Sequence, residues 1–264
     1  MKMIFKPQTE WIPPTDFPDL SKYDEIAVDL ETKDPNLNER MGSGSVVGVG
    51  DVVGISLATH DWCAYYPIAH EGGGNMDRRM VLNWLQDQVN TDSTKIFHNA
   101  MYDICWLRKI GINVKGQIVD TMIASSLVDE NRFRYDLNGL SRDYLGKGKD
   151  ESVLQETAKS WGVDPKAEMY KLPAMYVGAY AERDAQLTLE LWQEMKKEIL
   201  HQDIEDIFNM ETKLFPVLVD MRFLGVRVDA DRAAYEKQRM VEEENRLLGA
   251  IYSETKQEVQ IWAA

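Results

Sequence analysis

Two acidic residues stand two positions apart in the stretch IAVDLETK, where Asp29 and Glu31 flank a leucine. Side chains alternate between the two faces of a strand, so both carboxylates project from the same face. Burying a carboxylate costs several kcal/mol unless a positive charge pairs with it. The spacing therefore points to a cation that both groups share.

Two further motifs carry acidic residues that could join this pair. In KIFHNAMYD, Asp103 lies just inside a helix that follows a predicted strand, and in AYAERD, Tyr180 and Asp184 share one face of a predicted helix. Four carboxylates that meet cannot all stay ionised without cations. Two Mg²⁺ or Mn²⁺ ions about 4 Å apart would relieve the repulsion and bridge a phosphodiester.

Such a set predicts phosphodiester hydrolysis. One ion would position and deprotonate a water molecule, the other would stabilise the leaving 3′ oxygen, and Tyr180 would orient the water or help to deprotonate it. Each motif also has a structural interpretation. A lone Asp-x-Glu pair on a strand is weak evidence for a metal site, and Asn99 could simply cap the helix of Asp103. A Tyr-x-x-x-Asp pair on a helix is usually a surface pair. The prediction depends on all three motifs, in this order, each on the expected element.

Strands alternate with helices before residue 200, which predicts an α/β domain with a central mixed sheet flanked by helices. The pattern then changes to a helix, a turn at Gly225 and a long charged helix with few apolar residues. We therefore predict two parts, residues 1–200 and a helical extension at residues 201–264.

Composition narrows the class of protein. The chain has 264 residues, 44% of them hydrophobic, and a net charge of −14. This charge argues against a protein that coats nucleic acid, but it allows an enzyme that holds a few nucleotides at a metal site. No apolar run approaches the roughly 20 residues that span a bilayer, and the N-terminus lacks the features of a signal peptide. We expect a cytoplasmic protein with two reduced cysteines and no membrane partner.

The motifs VDLET, HNAMYD and YAERD resemble, in this order, those of the 3′–5′ proofreading exonuclease domain of family A DNA polymerases. That domain belongs to the DEDD exonuclease superfamily with a ribonuclease H-like fold, and the tyrosine four residues before the last aspartate marks the DEDDy subgroup. The resemblance covers about residues 20–200. It implies that Tyr180 orients the water and that two divalent ions, Mg²⁺ or Mn²⁺, are bound by Asp29, Glu31, Asp103 and Asp184.

The same resemblance implies contacts to the substrate. Asn99, Tyr102 and Arg134 would lie near the 3′-terminal nucleotides, and Leu30 and Thr32 would line the terminal base or sugar. Simpler interpretations remain for three of them. Asn99 could be a helix cap, Tyr102 a core residue and Arg134 a surface charge.

The C-terminal part carries a second resemblance. METKLFPVLVDMRFLGVRVD resembles the start of a polymerase domain, but nothing after it resembles the palm aspartates. The expected partners are therefore single-stranded or frayed DNA 3′ ends and either the missing polymerase domain or a separate polymerase chain. A polymerase start without the rest leaves an apolar helix face uncovered, which predicts self-association or marginal order after about residue 200.

A Gly-rich insertion follows the first motif, from Asn36 to Gly50. We interpret it as a solvent loop; the alternatives are a loop that folds over the active site or one that contacts DNA. Long loops of this kind resemble those of phage-type family members, which suggests a phage origin and a bacterial host cytoplasm.

Three hypotheses about function follow. The leading one is an exonuclease that removes nucleoside 5′-monophosphates from DNA 3′ ends as the proofreading part of a polymerase. The second is an exoribonuclease of the same superfamily, because the metal ions grip the phosphate and not the sugar. The third is a non-catalytic structural or DNA-binding module of a polymerase.

Overall fold

A five-stranded mixed sheet forms the centre of the protein. The computed structural model describes residues 9–38 and 43–260. In the order β3-β2-β1-β4-β5, β2 is antiparallel to both of its neighbours, β3 and β1, whereas β1, β4 and β5 are parallel to one another. The predicted mixed sheet is confirmed. The strands are β1 (Glu25–Lys33), β2 (Asp51–Thr59), β3 (Trp62–Pro67), β4 (Thr94–Phe97) and β5 (Ile118–Asp120).

Helices cover both faces of the sheet, and two further helices follow. The described helices are α1 (Gly44–Val47), α2 (Arg78–Val89), α3 (Ala100–Lys109), α4 (Thr121–Val128), α5 (Leu137–Leu145), α6 (Ser152–Trp161), α7 (Gly178–His201), α8 (Glu205–Leu224) and α9 (Ala230–Thr255). Two short 3₁₀ turns, Met169–Lys171 and Ala174–Tyr176, lead into α7. None of the helices in the described ranges is long and apolar enough to cross a membrane.

Alternate residues of β1 face two different helix layers. Val28 and Leu30 pack in a core with residues of α2 and α3, whereas Ala27 packs in a second core with residues of α4, α5 and α7. Side chains on a strand alternate between its two faces, so Asp29 and Glu31 lie on the same face as Ala27. The sheet therefore presents both carboxylates on the face that α7 covers.

The second part of the Gly-rich insertion, residues 43–50, is an ordered segment and not a solvent loop. Residues 43–50 contain α1, and buried Asp34 fixes them through its Oδ1, which accepts the amide of Gly44 at 3.0 Å. A Cβ at Gly44 would lie 2.5 Å from that oxygen, so the close approach requires glycine. The solvent-loop interpretation is wrong for residues 43–50, because a buried carboxylate needs these amide donors. Residues 39–42 of the insertion lie outside the described residues.

The C-terminal part contains two different kinds of helix. The compact unit extends to Phe223 and so includes nearly all of α8, which buries Phe208, Phe215 and Val219. The second unit begins at Leu224 and contains α9, in which no residue of Ala230–Thr255 is buried.

Candidate active site

The first two predicted ligands lie near the end of β1. Asp29 pairs with Ser56 of β2 and Glu31 with Gly54, and the register then shifts, so that Thr32 pairs with Val52. Such an irregularity re-aims the side chains beside it. The side chains of Asp29 and Glu31 are partly buried.

Asp103 enters the site on the first turn of α3 and is only 4% exposed. The start of this helix is held by Asp120 at the end of β5. Its Oδ1 accepts the amide of Asn99 at 2.9 Å, and its Oδ2 accepts that of Ala100 at 2.8 Å. Asp120 also caps α4 through the amide of Met122 at 2.9 Å. One carboxylate thus satisfies the free amides of two helix starts and positions Asp103.

Tyr180 and Asp184 occupy the first two turns of α7, four residues apart as predicted. Asp184 is 4% exposed, and its Oδ1 has no hydrogen-bond partner among the described residues. Burial raises the pKa of Asp184, and the nearby Lys149 ammonium and then the Tyr180 hydroxyl oppose this rise. Burial, followed by the charges of Asp184 and Glu31, raises the pKa of Tyr180 well above its usual range, so the phenol is neutral at neutral pH.

The four carboxylates lie close enough for the charge of one to affect the ionisation of another. Burial and the Asp184 charge raise the pKa of Asp29 to about 7. Burial raises the pKa of Glu31 well above its ordinary value, and Asp29 and Asp184 add to the shift. The pKa of Asp103 is raised by burial and then by Asp29, Asp120 and Glu31. Carboxylates from β1, α3 and α7 therefore repel one another in a poorly solvated site.

Lys149, in the loop between α5 and α6, supplies positive charge to this cluster. Its ammonium contacts Oδ2 of Asp184, and the side chain is only 13% exposed. Its charge also opposes the rise in pKa at Asp29 and Glu31. The nitrogen lies 5.2 Å from the centre of the Tyr180 ring.

The donor chemistry of the cluster fits a hard divalent cation, since carboxylate oxygens are the ligands that Mg²⁺ and Mn²⁺ prefer. The unpartnered Oδ1 of Asp184 is a buried acceptor available to such an ion. As they stand, no three carboxylate, imidazole or thiol groups in the described ranges converge closely enough to hold one ion.

Comparison with known proteins identifies the family. Residues 17–200 match the 3′–5′ exonuclease domain family of DNA polymerase A. The chain belongs to this family. A DNA-directed DNA polymerase of Pseudomonas phage M6 is 34% identical over 94% of the chain and 38% of its own length. DNA polymerase I of Pseudomonas aeruginosa is 30% identical over 72% of the chain and 22% of its own length.

Solved structures show the same fold. The POL domain of Pol1 from M. smegmatis, in complex with DNA primer-template and dNTP, has a TM-score of 0.64 and 14% identity, covering 92% of this chain and 36% of that one. Brucella melitensis NrnC with bound Mg²⁺ has a TM-score of 0.54 and 17% identity, and the match covers 81% of this chain and 94% of NrnC. The ribonuclease H-like exonuclease fold is confirmed, and exonucleases of this superfamily depend on divalent metal ions. The chain spans 33% to 38% of the length of the phage polymerases it matches.

Thr32 and Tyr102, two of the substrate contacts that the exonuclease family implies, bond to each other. Their hydroxyl oxygens are 2.7 Å apart, and the Tyr102 hydroxyl donates to Oδ2 of Asp34 at 3.3 Å. Asp34 also anchors the insertion through Gly44. The insertion of this chain is therefore connected by hydrogen bonds to a predicted substrate-binding pair.

Asn99 lies at the N-cap position of α3 but does not act as a cap. Its backbone is left-handed, with φ of 65°, and its side chain makes no capping hydrogen bond. Asp120 performs that task instead. The exposed Asn99 side chain therefore does not cap the helix, which was the structural role that the sequence suggested.

The other two predicted substrate contacts differ in exposure. Leu30 is 6% exposed and packs in the core on the face opposite Asp29, so it offers little surface to a nucleotide. Arg134 is exposed, beside the fully exposed Phe133, in the loop between α4 and α5. Contacts of Leu30 and Arg134 with substrate stay predictions.

Sequence reasoning missed Lys149 and Asp120. Lys149 belongs to the tripeptide Lys-Gly-Lys, which carries the signal of a turn but none of burial. Asp120 directly precedes the helix TMIASSLV, where an N-cap is the expected role. That it also holds α3 depends on β4 and β5 being neighbours in the sheet.

Proposed function

We propose that this chain is a metal-dependent 3′–5′ exodeoxyribonuclease, the proofreading part of a family A DNA polymerase. The observation that carries the proposal is the carboxylate cluster: Asp29, Glu31, Asp103 and Asp184 come from three separate elements. Burial raises the pKa of each of them, and the charges of neighbouring carboxylates of the cluster add to the rise at Asp29, Glu31 and Asp103. A fold that needed only stability would not gather four poorly solvated carboxylates.

Asp29, Glu31, Asp103 and Asp184 would hold two divalent ions, Mg²⁺ or Mn²⁺. When bound, the ions would activate a water molecule and stabilise the leaving 3′ oxygen of the terminal phosphodiester. Hydrolysis breaks the bond between phosphorus and that oxygen, and it releases a nucleoside 5′-monophosphate and a strand shorter by one nucleotide.

Tyr180 would orient the attacking water. Its pKa is raised by burial and by the neighbouring carboxylates, so the hydroxyl keeps its proton at neutral pH and can donate a hydrogen bond. Of the two roles that the sequence left open, this favours orientation over proton removal.

The substrate would be a single-stranded or frayed DNA 3′ end. Leu30 and Thr32 would line the terminal base or sugar. Asn99, Tyr102 and Arg134 would lie near the 3′-terminal nucleotides. The half-exposed Thr32–Tyr102 pair and the free Asn99 side chain support this assignment, whereas buried Leu30 supports it least.

The polymerase activity would reside in another part of the protein or in a separate chain. The matched phage relatives are DNA polymerases and are longer than this chain. We propose that residues 1–200 are the exonuclease domain and residues 201–264 the start of a polymerase domain, acting in the cytoplasm of a phage-infected cell. The exposed apolar residues on α8 and α9 support a covering partner.

The test is digestion of a 5′-labelled single-stranded DNA with Mg²⁺ or Mn²⁺, resolved on a gel. We expect a ladder that shortens from the 3′ end, and a loss of rate of about a hundredfold or more in Asp184→Asn, because a charged ligand is removed. Asp87→Asn, the same change at an exposed position of α2, should leave the rate unchanged.

Digestion of an RNA strand beside a DNA strand of the same sequence tests the specificity for the sugar. Preferential cleavage of RNA would favour the exoribonuclease hypothesis. Activity that survives both EDTA and Asp184→Asn would contradict the proposed mechanism, and no digestion by folded, metal-supplied protein would favour a non-catalytic module or one that needs its polymerase partner.

A further inference from the structure

Lys149 is an almost buried lysine inside a cluster of predicted metal ligands. Its side chain is 13% exposed, and that of its partner Asp184 is 5% exposed. Lysine is rarely buried unless it is paired. The four carboxylates and Tyr180 each have a role in the proposed reaction, but the Lys149 ammonium group has none.

The ammonium group and a divalent ion would compete for the carboxylate of Asp184. Lys149 contacts Oδ2 of Asp184, whereas Oδ1 accepts no hydrogen bond from the described residues. An ion bound by both oxygens, or one placed between Asp184 and Asp29, would stand within a few Å of the ammonium. Two cations so close in a poorly solvated site repel each other strongly.

The loop that carries Lys149 allows its side chain to leave without unfolding. The backbone amide of Lys149 donates to Oδ1 of Asn138 at 3.1 Å, which ties the loop to α5. Lys147, two residues before Lys149, pairs with the partly exposed Glu190 on α7 at 3.0 Å. Rotation about the four-carbon stem of Lys149 can therefore move the charge while the backbone stays in place.

We propose that Lys149 is a tethered counter-ion of the carboxylate cluster, which divalent cations must displace from Asp184 in order to bind. The proposal rests on the proposed metal-dependent function. Lys149 is thus a positioning residue that keeps the four carboxylates together before metal binding, and it sets a threshold for the metal concentration at which the site is loaded.

The experiment is calorimetric titration of the full chain with Mn²⁺, without nucleotide. We expect Lys149→Met to bind Mn²⁺ about tenfold more tightly than the wild type, because no ion pair must be broken. Lys149→Gln removes the charge but keeps a hydrogen-bond donor for Asp184, and it should show the same gain if the Met variant folds poorly. Lys149→Arg should stay near the wild-type affinity, as should the matched surface control Lys147→Met.

A second readout is thermal stability. In EDTA at about pH 8, Lys149→Met and Lys149→Gln should melt at a lower temperature than the wild type, because the carboxylates lose a neighbouring cation. Addition of Mn²⁺ should raise the melting temperature of these two variants by more than it raises that of the wild type. Folded Lys149 variants that bind Mn²⁺ no more tightly than the wild type would overturn the counter-ion proposal alone. Absence of Mn²⁺ binding by every protein would overturn the proposed metal-dependent function as well.

Discussion

The ionisation of Asp29 links the site to the stability of the fold. Its pKa is raised from an ordinary value near 3.8 to about 7, first by burial and then by Asp184. A carboxyl group with a raised pKa binds its proton more tightly in the folded chain than in the unfolded chain. Its stabilising contribution is therefore present below about pH 4 and lost as the pH rises through about 7.

We expect the melting temperature in EDTA to fall as the pH rises from about 5 to about 8. Asp29→Asn should reduce this fall because it removes one of the groups that ionise, and saturating Mn²⁺ should reduce it in the wild type. Melting curves followed by circular dichroism measure both effects, with Asp87→Asn as the exposed control. An equal slope in wild type and Asp29→Asn would contradict the raised pKa.

Tyr180 offers a separate test of the hydroxyl group. Tyr180→Phe should lower the cleavage rate by about a hundredfold, since a positioned proton donor or acceptor contributes on that scale. Mn²⁺ affinity should stay within about twofold, because the phenol is not a predicted ligand. Tyr23→Phe, which loses an exposed hydrogen bond to Asp61, is the control. A Tyr180→Phe enzyme with full activity would exclude the orienting role.

Side-chain spacing predicted the shared faces at the residue scale, because strand and helix periods are local properties. Asp29 and Glu31 lie on one face of β1, and Tyr180 and Asp184 lie in the first turns of α7, as expected. Lys149 could not be predicted in this way. Its burial depends on a contact between α7 and the loop that joins α5 to α6. Hydrophobic periodicity within one segment does not predict a contact between two segments that are distant in sequence.

At the scale of elements, apolar runs and helical spacing predicted the sheet and the long helices. The insertion was misinterpreted because its Gly, Ser and Asn content is typical of a flexible loop. What orders residues 43–50 is non-local: Asp34 accepts the amide of Gly44, and Lys109 of α3 donates to the carbonyl oxygens of Val49 and Gly50 at 2.6 and 2.7 Å.

The double role of Asp120 leads to a prediction about α3 and α4. Asp120→Ala should lower the free energy of unfolding by about 2–3 kcal/mol, because three backbone amides lose a buried acceptor. Asp136→Ala, which removes the cap of α5 alone, should cost about 1 kcal/mol. Urea titration followed by tryptophan fluorescence gives both values.

Cleavage distinguishes the two caps further. Asp120→Ala should also lower the cleavage rate in conditions where the protein stays folded, because Asp103 is carried by the first turn of α3. Asp136→Ala should not, since α5 carries none of the predicted ligands. Equal losses of stability and rate in both variants would show that Asp120 has no special part in positioning the site.

At the scale of the whole molecule, the net charge of −14 and the exposed apolar residues of α8 point in different directions. The charge opposes association with DNA and with other copies of the chain. The α8 surface favours association, because Met210, Val217 and Met221 are each more than half exposed on a helix whose other face is buried. Salt screens the first effect and leaves the second in place.

We therefore expect the chain to self-associate, and to do so more at high salt than at low salt. Val217→Lys/Met221→Lys should shift the protein toward monomer by placing two charges on the apolar face. The control Gln202→Lys/Asn209→Lys changes the net charge by the same amount at exposed polar positions, and it should leave the association nearly unchanged. Sedimentation velocity over a range of protein and salt concentrations measures the distribution. Equal dissociation by both double variants would mean that net charge governs association, and a monomeric wild type at every salt concentration would show that the α8 surface does not self-associate.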